Sequence, residues 1–228
     1  MRDDVIHLWH GQPKKFDFDQ VQLHLAPNEI ERAQRFRFRE DRDAFALVHA
    51  MRRIELSHIL GAQPQELEFG RSQKGRPTLQ NAHPKDLAFS ASRRRKLVIF
   101  AAAGLSRLGV DVEQIGPVDN PASLLAKFLS DESLSALSIG TVRERSHAFA
   151  KLWTITEACA KARGTGLETF TPRMTVLFET SDLAIVEDGP NRWRCQIFAA
   201  DPEHFVTVAY AAPQWLTIRL TKWAGLPG

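Results

Sequence analysis

Two short stretches constrain this chain more than any other. Gly109-Val110-Asp111-Val112-Glu113 alternates apolar and acidic residues, so a strand there carries both valines on one face and both carboxylates on the other. Further along, Trp153-Thr154-Ile155-Thr156-Glu157-Ala158-Cys159-Ala160-Lys161 reads as a helix. It has Phe149, Leu152 and Trp153 on an apolar face, Glu157 and Lys161 four apart on a neighbouring face, and Gly164 and Gly166 to end it. Packed side by side, strand and helix would bring three carboxylates and one ammonium together. Adjacent like charges are costly unless a cation lies between them, and hard oxygen ligands of this kind suit magnesium.

In the N-terminal half, Val5, Ile6, Leu8 and Trp9 suggest an opening strand, turned by Gly11 and Pro13. Pro27-Asn28-Glu29 starts a helical stretch through Ile30, Ala33 and Phe36 whose polar residues are basic: Arg32, Arg35, Arg37, Arg39 and Arg42. Alone, these arginines read as a solvated helix face. A second helix runs from about Asp41 to Leu60, carries Phe45, Val48, Met51, Arg52 and Leu56, and stops at Gly61. Leu67-Glu68-Phe69 reads as a short strand. The following loop, Arg71-Ser72-Gln73-Lys74-Gly75-Arg76-Pro77, can bring backbone N–H groups and charge to a phosphate. Leu97 to Ala103 reads as a buried strand, preceded by the cations Arg93, Arg94, Arg95 and Lys96.

Gly116-Pro117 and Pro121 mark a linker. Short helices at Ala122 to Leu129 and at Asp131 to Leu137, the latter capped by Ser130, precede the long helix from about Val142 to Arg163. Strands are expected at Met174 to Phe178, Leu183 to Val186, Trp193 to Ala199, Phe205 to Ala211 and Leu216 to Thr221. The pattern Leu87-Ala-Phe-Ser-Ala-Ser, polar turn, Leu97-Val-Ile-Phe-Ala-Ala-Ala is echoed by Gln196-Ile-Phe-Ala-Ala-Asp, polar turn, Phe205-Val-Thr-Val-Ala-Tyr-Ala-Ala. Each half thus places a long helix before a strand pair of similar design, as two copies of one unit would. The expected fold class is α+β: two similar α/β subdomains, residues 1–108 and 109–228, each with a long helix on a mostly antiparallel sheet.

Composition limits the function. With 228 residues, 43% hydrophobic and 25% charged, the chain can bury a sizeable core without a chemical staple. A formal charge of +3 is too weak by itself to imply nucleic acid, yet it suits a phosphorylated ligand and an acidic protein partner. Cys159 and Cys195 offer neither a disulfide framework nor zinc spacing, and read as small core residues in a reducing compartment. The longest apolar run, Leu97 to Leu105, is far below the ~20 residues of a membrane span, so a cytoplasmic protein is expected.

Gly-Val-Asp-Val-Glu with Trp-Thr-x-x-Glu-Ala-x-x-Lys resembles the two signature motifs of the 4′-phosphopantetheinyl transferases, of the long Sfp-type rather than the short trimeric type. Leu25-Ala-Pro-x-Glu, Arg32-Ala33, Arg35-Phe36 and Glu40-Asp41-Arg42 are similar to that family's opening segment, and Gly75-Arg76-Pro77 to its Gly-Lys-Pro. Two departures are noted. Where the family has Phe-Asn-x-Ser-His-Ser, Ala91 is taken to stand at the histidine, with one of Arg93, Arg94, Arg95 and Lys96 a candidate replacement; Thr156 stands at the family's lysine.

The resemblance implies a pseudodimer with coenzyme A bound between its subdomains. It implies transfer of 4′-phosphopantetheine to a serine of an apo acyl, peptidyl or aryl carrier protein, with release of adenosine 3′,5′-bisphosphate. Mg²⁺ would be held by Asp111, Glu113 and Glu157; Glu157, Lys161 and Asp111 would be catalytic, Glu157 taking the serine proton and Lys161 stabilising the departing phosphate. Coenzyme A would meet Arg32, Arg71, Lys74, Gly75, Arg76, Ser90, Asp111, Glu157 and Lys161, with Arg32 near its 3′-phosphate. The partners implied are coenzyme A and a carrier protein, with no nucleic acid or membrane, and a monomer is expected. Two other classes fit parts of the chain. One is a non-catalytic relative that binds coenzyme A or a carrier protein. The other is a basic nucleic-acid-binding module, suggested by the arginine clusters but without a recognisable reading helix or aromatic RNA motif.

Overall fold

The computed structural model describes residues 4–81, 87–167 and 173–225. In chain order its strands and helices are β1 (Val5–Gly11), α1 (Phe18–Gln22), α2 (Pro27–Gln34), α3 (Arg39–Leu60), β2 (Phe69–Arg71), β3 (Pro77–Leu79), β4 (Leu87–Arg93), β5 (Val98–Gly104) and β6 (Leu108–Gln114). They continue as α4 (Pro121–Leu125), α5 (Asp131–Leu134), α6 (Val142–Arg163), β7 (Thr175–Phe178), β8 (Leu183–Asp188), β9 (Asn191–Asp201), β10 (His204–Tyr210) and β11 (Thr217–Lys222). They form two units, residues 1–106 with 216–228, and residues 107–215.

The first unit is built on a sheet ordered β11-β1-β5-β4. Its long helix α3 carries Glu40 and Asp41 in its first turn, where acids offset the helix dipole, and ends at Gly61 in the left-handed region (φ 67°). Leu47, Met51 and Ile54 of α3 join Phe89 of β4 and Val98, Phe100 and Ala102 of β5 in one buried cluster. The strand Thr217–Lys222, grouped with the C-terminal half in the sequence division, runs parallel to β1, pairing Ile6 with Ile218 and Leu8 with Leu220. Just beyond it, Trp223 N–H donates to His10 O at 2.9 Å and its indole Nε1 to Glu55 Oε1 at 2.8 Å, while the ring packs 5.2 Å from Phe16. The short strand expected at Leu67 to Phe69 begins at Phe69 and forms a separate two-stranded ribbon with β3.

The second unit has a sheet ordered β6-β10-β9-β8-β7, antiparallel throughout. Helix α6 begins in a capping box, Thr141 Oγ1 accepting from Glu144 N–H and Glu144 Oε2 from Thr141 N–H, and ends at Gly164 (φ 77°). Its Leu152, Ile155, Ala158, Cys159 and Ala162 are buried with Trp193, Cys195 and Ile197 of β9. The thiols of Cys159 and Cys195 are both buried, 3.6 Å apart. Each unit therefore sets one long helix on a largely antiparallel sheet, the α+β design that the echo in the sequence suggests. Among the described residues no helix is long and apolar enough to cross a membrane.

Trp223 is 5% exposed, so its removal leaves a cavity beneath the first sheet. Trp223→Ala is expected to lower stability by about 3 kcal/mol in urea unfolding, with Glu55 left without its indole partner. A loss below about 1 kcal/mol would show that the C-terminal segment is not part of this core.

Candidate active site

In the second unit the sequence alternation of β6 becomes a geometric one. Val110 and Val112 are fully buried, and the opposite face, bearing Gly109, Asp111 and Glu113, is turned to α6. The helix lies very close. A Cβ added at Gly109 would stand 2.0 Å from the Ala158 carbonyl oxygen and 2.5 Å from the Ala162 nitrogen, so only glycine fits where the two backbones meet. On this seat Lys161 Nζ reaches Asp111 Oδ1 at 2.8 Å and the Val110 carbonyl at 3.0 Å. Asp111 is 5% exposed, which strengthens that ion pair relative to one in water. Glu157, half-buried, lies one helical turn before Lys161.

Neighbouring contacts fix the turn that carries Lys161. The Gly164 N–H closes the helix onto the Ala160 and Lys161 carbonyls. Arg163 Nη1 donates to both oxygens of buried Asp188, at 2.9 and 3.3 Å, and Trp193 Nε1 donates to Asp188 Oδ2 at 3.3 Å. Thr207, paired with Asp111 across β10 and β6, donates to Thr154 Oγ1 at 2.8 Å. The position Thr156 is used for packing: its side chain is fully buried and its hydroxyl donates to the Leu152 carbonyl at 2.7 Å.

Asp111, Glu113 and Glu157 offer hard carboxylate oxygens from the facing sides of β6 and α6, a donor type that fits magnesium. Among the described residues no three His, Cys, Asp or Glu side chains are gathered closely enough to form a metal-binding group. The structure brings Asp111 and Lys161 together; it does not gather the three acids around one point.

The first unit holds a separate cavity of about 380 Å³, lined among others by Arg32, Phe45, His49, Arg52, Phe69 and Arg71. At its base lies Glu29, 7% exposed. Glu29 Oε1 receives Arg52 Nη2 at 2.6 Å and His49 Nδ1 at 2.8 Å; Oε2 receives Arg53 Nε at 2.7 Å and the Ala26 N–H at 2.9 Å. Burial pushes this carboxyl up, but its hydrogen-bond donors and nearby positive charge outweigh that and hold it well below the usual carboxylate range. Burial pushes His49 down to about 4, against the opposing pull of Glu29, so the ring is neutral at pH 7.

Of the residues expected to contact coenzyme A, Arg32 and Arg71 line this cavity; Lys74, Gly75, Arg76 and Ser90 stand outside its lining. The loop is ordered by Ser72 N–H to Arg76 O at 2.8 Å, Gly75 N–H to Ser72 O at 2.9 Å and Arg71 Nη1 to Gly75 O at 3.1 Å, with Gly75 at φ 83°.

Comparison with known proteins bears on both units. The model of the 4′-phosphopantetheinyl transferase superfamily matches residues 107–209, and that of the 4′-phosphopantetheinyl transferase N-terminal region matches residues 8–105. The 4′-phosphopantetheinyl transferase HetI of Nostoc sp. is 26% identical over 216 residues, covering 93% of this chain and 90% of its own. Sfp of Bacillus subtilis is 23% identical over 193 residues, covering 84% of each chain. The L-aminoadipate-semialdehyde dehydrogenase-phosphopantetheinyl transferase of Schizosaccharomyces pombe is 26% identical over 187 residues, 73% of this chain and 71% of its own. The chain belongs to the 4′-phosphopantetheinyl transferase superfamily, and to its Sfp-type.

For this transferase one motif position needs correcting. Counted from Phe89, Phe-Ser-Ala-Ser-Arg-Arg against Phe-Asn-x-Ser-His-Ser puts Ala91 at the unspecified third place and Arg93 at the histidine. Ala91 packs against the first core. Arg93 lies 5.0 Å from the Phe36 ring centre and 5.6 Å from that of Phe45, and Arg32 is 5.3 Å from Phe45 on its own account. Arg95 is spent on Asp41, donating from Nε at 2.9 Å and Nη2 at 3.0 Å. The sequence reading also passed over Glu29, His49 and Arg53. The available signal was Arg52-Arg53 set between Met51 and Ile54 in a core-facing stripe, where a guanidinium requires a buried counter-charge.

Gly109→Ala is expected to cost the transferase about 3 kcal/mol in urea unfolding, because the new methyl meets backbone rather than a movable side chain. Unchanged stability would mean that helix and strand sit further apart. Acid should also weaken the first unit. Below the ordinary histidine value of 6.5 the unfolded chain takes up a proton that native His49 refuses until about pH 4, so stability falls as pH drops through that window. Glu29 adds to the loss below its ordinary value of 4.5, since its folded carboxyl resists protonation. His49→Gln should flatten the decline between pH 6.5 and 4 by on the order of 2 kcal/mol; parallel pH profiles for both proteins would refute this.

Proposed function

We propose that this enzyme transfers the 4′-phosphopantetheine moiety of coenzyme A to the serine hydroxyl of an apo carrier protein and releases adenosine 3′,5′-bisphosphate. The observation that carries the reading is the 2.8 Å ion pair between Lys161 and Asp111, which joins the two signature motifs within one unit. In the reaction the serine oxygen attacks the β-phosphorus of the diphosphate. A new P–O bond forms, the bond to the bridging oxygen breaks, and the electron pair leaves with the bisphosphate. Little covalent work falls to the protein, so alignment and charge neutralisation supply most of the acceleration.

Glu157 is assigned to accept the serine proton, and Lys161 to stabilise the departing phosphate while keeping Asp111 oriented. Asp111, Glu113 and Glu157 would hold Mg²⁺, which when bound neutralises charge on the diphosphate. Arg32, Arg71 and Arg93 are assigned to coenzyme A phosphates, and Lys74, Gly75, Arg76 and Ser90 to its remaining contacts. Arg93 would thus stand in for the family's histidine. A monomer working in a reducing, cytoplasmic setting suits a chain with two units of like design and two buried free thiols. Carrier proteins are generally acidic, and the net charge of +3 favours their approach.

Labelling of a panel of apo carrier proteins with a fluorescent coenzyme A tests the reading. Wild-type protein should label at least one in the presence of Mg²⁺, and a chelator should stop the reaction. Glu157→Ala with an unchanged unfolding curve should reduce the rate by roughly 10²-fold or more. Labelling at the wild-type rate would remove Glu157 from the mechanism, and binding of coenzyme A without any labelling would favour a non-catalytic relative.

A further inference from the structure

The first sheet ends on a strand whose outer side no described residue covers. β11 is outermost in the order β11-β1-β5-β4, and five of its six residues are exposed, Leu220 by 48%. Its inner side is tied to β1 from end to end. Thr217 N–H donates to Asp4 O at 3.1 Å and, six residues on, Trp223 N–H donates to His10 O at 2.9 Å. Along a strand the N–H and C=O of one residue point to the same side, and those of the next residue to the other. Arg219 and Thr221 therefore turn their main chain to β1, and Ile218, Leu220 and Lys222 turn theirs outward. Those three N–H and C=O sets have no hydrogen-bond partner among the described residues.

The outer edge of the second sheet is treated differently. There the Val176 N–H of β7 donates to Ser133 Oγ at 2.9 Å. Just before β7, Met174 N–H donates to Phe128 O at 2.7 Å and Met174 O accepts from Ser130 N–H at 2.8 Å. That edge is blocked by its own chain, whereas β11 presents a template for a further strand.

The side chains of β11 decide what it would accept. Ile218 and Leu220 share a face with Ile6 and Leu8 of β1, and Arg219 stands on the other face beside His7. Exposed Lys222 ends the strand, and exposed Lys14 and Lys15 precede Phe16, whose ring packs on Trp223. Cations on an edge strand oppose pairing with a second, identical edge. They favour a strand of opposite charge, because opposite charges across a strand pair stabilise it and like charges destabilise it.

We propose that the outer edge of β11 is a docking site that takes up, as an added strand, an extended segment of a partner protein in which acidic and apolar side chains alternate. An acidic residue of that segment pairs with Arg219, and its apolar neighbour covers the exposed half of Leu220. Its main chain meets the three outward N–H and C=O sets, and Lys222 adds positive charge at the far end.

A fluorescently labelled octapeptide of alternating glutamate and valine tests this by anisotropy with the full chain, against the same peptide with lysine for glutamate. The glutamate peptide should bind about tenfold more tightly. With it bound, amide exchange should slow about tenfold at Ile218, Leu220 and Lys222 and stay as it was at Arg219 and Thr221, whose N–H groups already serve the β1 ladder. Leu220→Pro removes one outward donor at a place where an edge strand tolerates proline, and should weaken binding about tenfold; Leu220→Ala, which keeps the N–H, should weaken it only about threefold. If the proline variant does not fold, Arg219→Glu with Lys222→Glu decides, since the preference should then pass to the lysine peptide. No binding at about 1 mM peptide, equal binding of both peptides, or unaltered exchange at the three amides would overturn the proposal. So would a concentration-dependent dimer of the free protein that Leu220→Pro abolishes, because the edge then belongs to a second copy of the chain. None of these measurements uses the transfer reaction, so their outcome is separate from that of the transferase reading.

Discussion

At Gly109 the backbone of α6 approaches β6 so closely that any side chain would overlap the Ala158 carbonyl. The placement of Lys161 on Asp111 follows from that contact, because it brings the helix turn that carries Lys161 against the strand that carries Asp111. Ala158 and Ala162 supply the helix side of the seat, and their small size is as necessary as the missing Cβ. The Arg163–Asp188 pair and the Gly164 cap then prevent the last turn from fraying, so the ammonium is presented by a closed helix end rather than a loose one.

The first unit solves a different problem. Glu29 ties the start of α2 to two adjacent arginines of α3, and so converts a costly buried carboxylate into the anchor of a cationic wall. Phe69 and Phe45 provide flat ring faces against which the guanidiniums of Arg52 and Arg32 lie. The result is buried, multiply held positive charge, in contrast to the exposed arginines Arg35 and Arg39, whose i,i+4 pairs with Glu31 and Asp43 add little.

Elements with strong periodicity were legible from the residues. Val142 to Arg163 and the acidic strand were readable because caps, glycines and alternation all agree there. The partner strand of β1 was not readable, since parallel pairing between chain ends leaves no local turn signal at Thr217 to Lys222. Lys161 and Asp111 could be paired from their motifs, whereas the partners of Glu29, Arg52 and Arg53, lie on α3 and leave no local signal beside it. Burial decides such cases, and Arg52 and Arg53 differ from Arg35 only in what surrounds them. Arg93 illustrates another limit, because its role depends on the ring it reaches rather than on the cation run in which it sits.

Strand β11 closes the edge of a sheet whose other strands are all made within the first 104 residues. During synthesis, therefore, β1 leaves the ribosome with one side unsatisfied and must wait for almost the entire polypeptide before its last neighbour emerges. Until then that edge is open to other chains. The second unit, whose strands are contiguous in sequence from β6 to β10, can mature on the ribosome first, reversing the usual order in which the earlier-made half of a protein is finished before the later one.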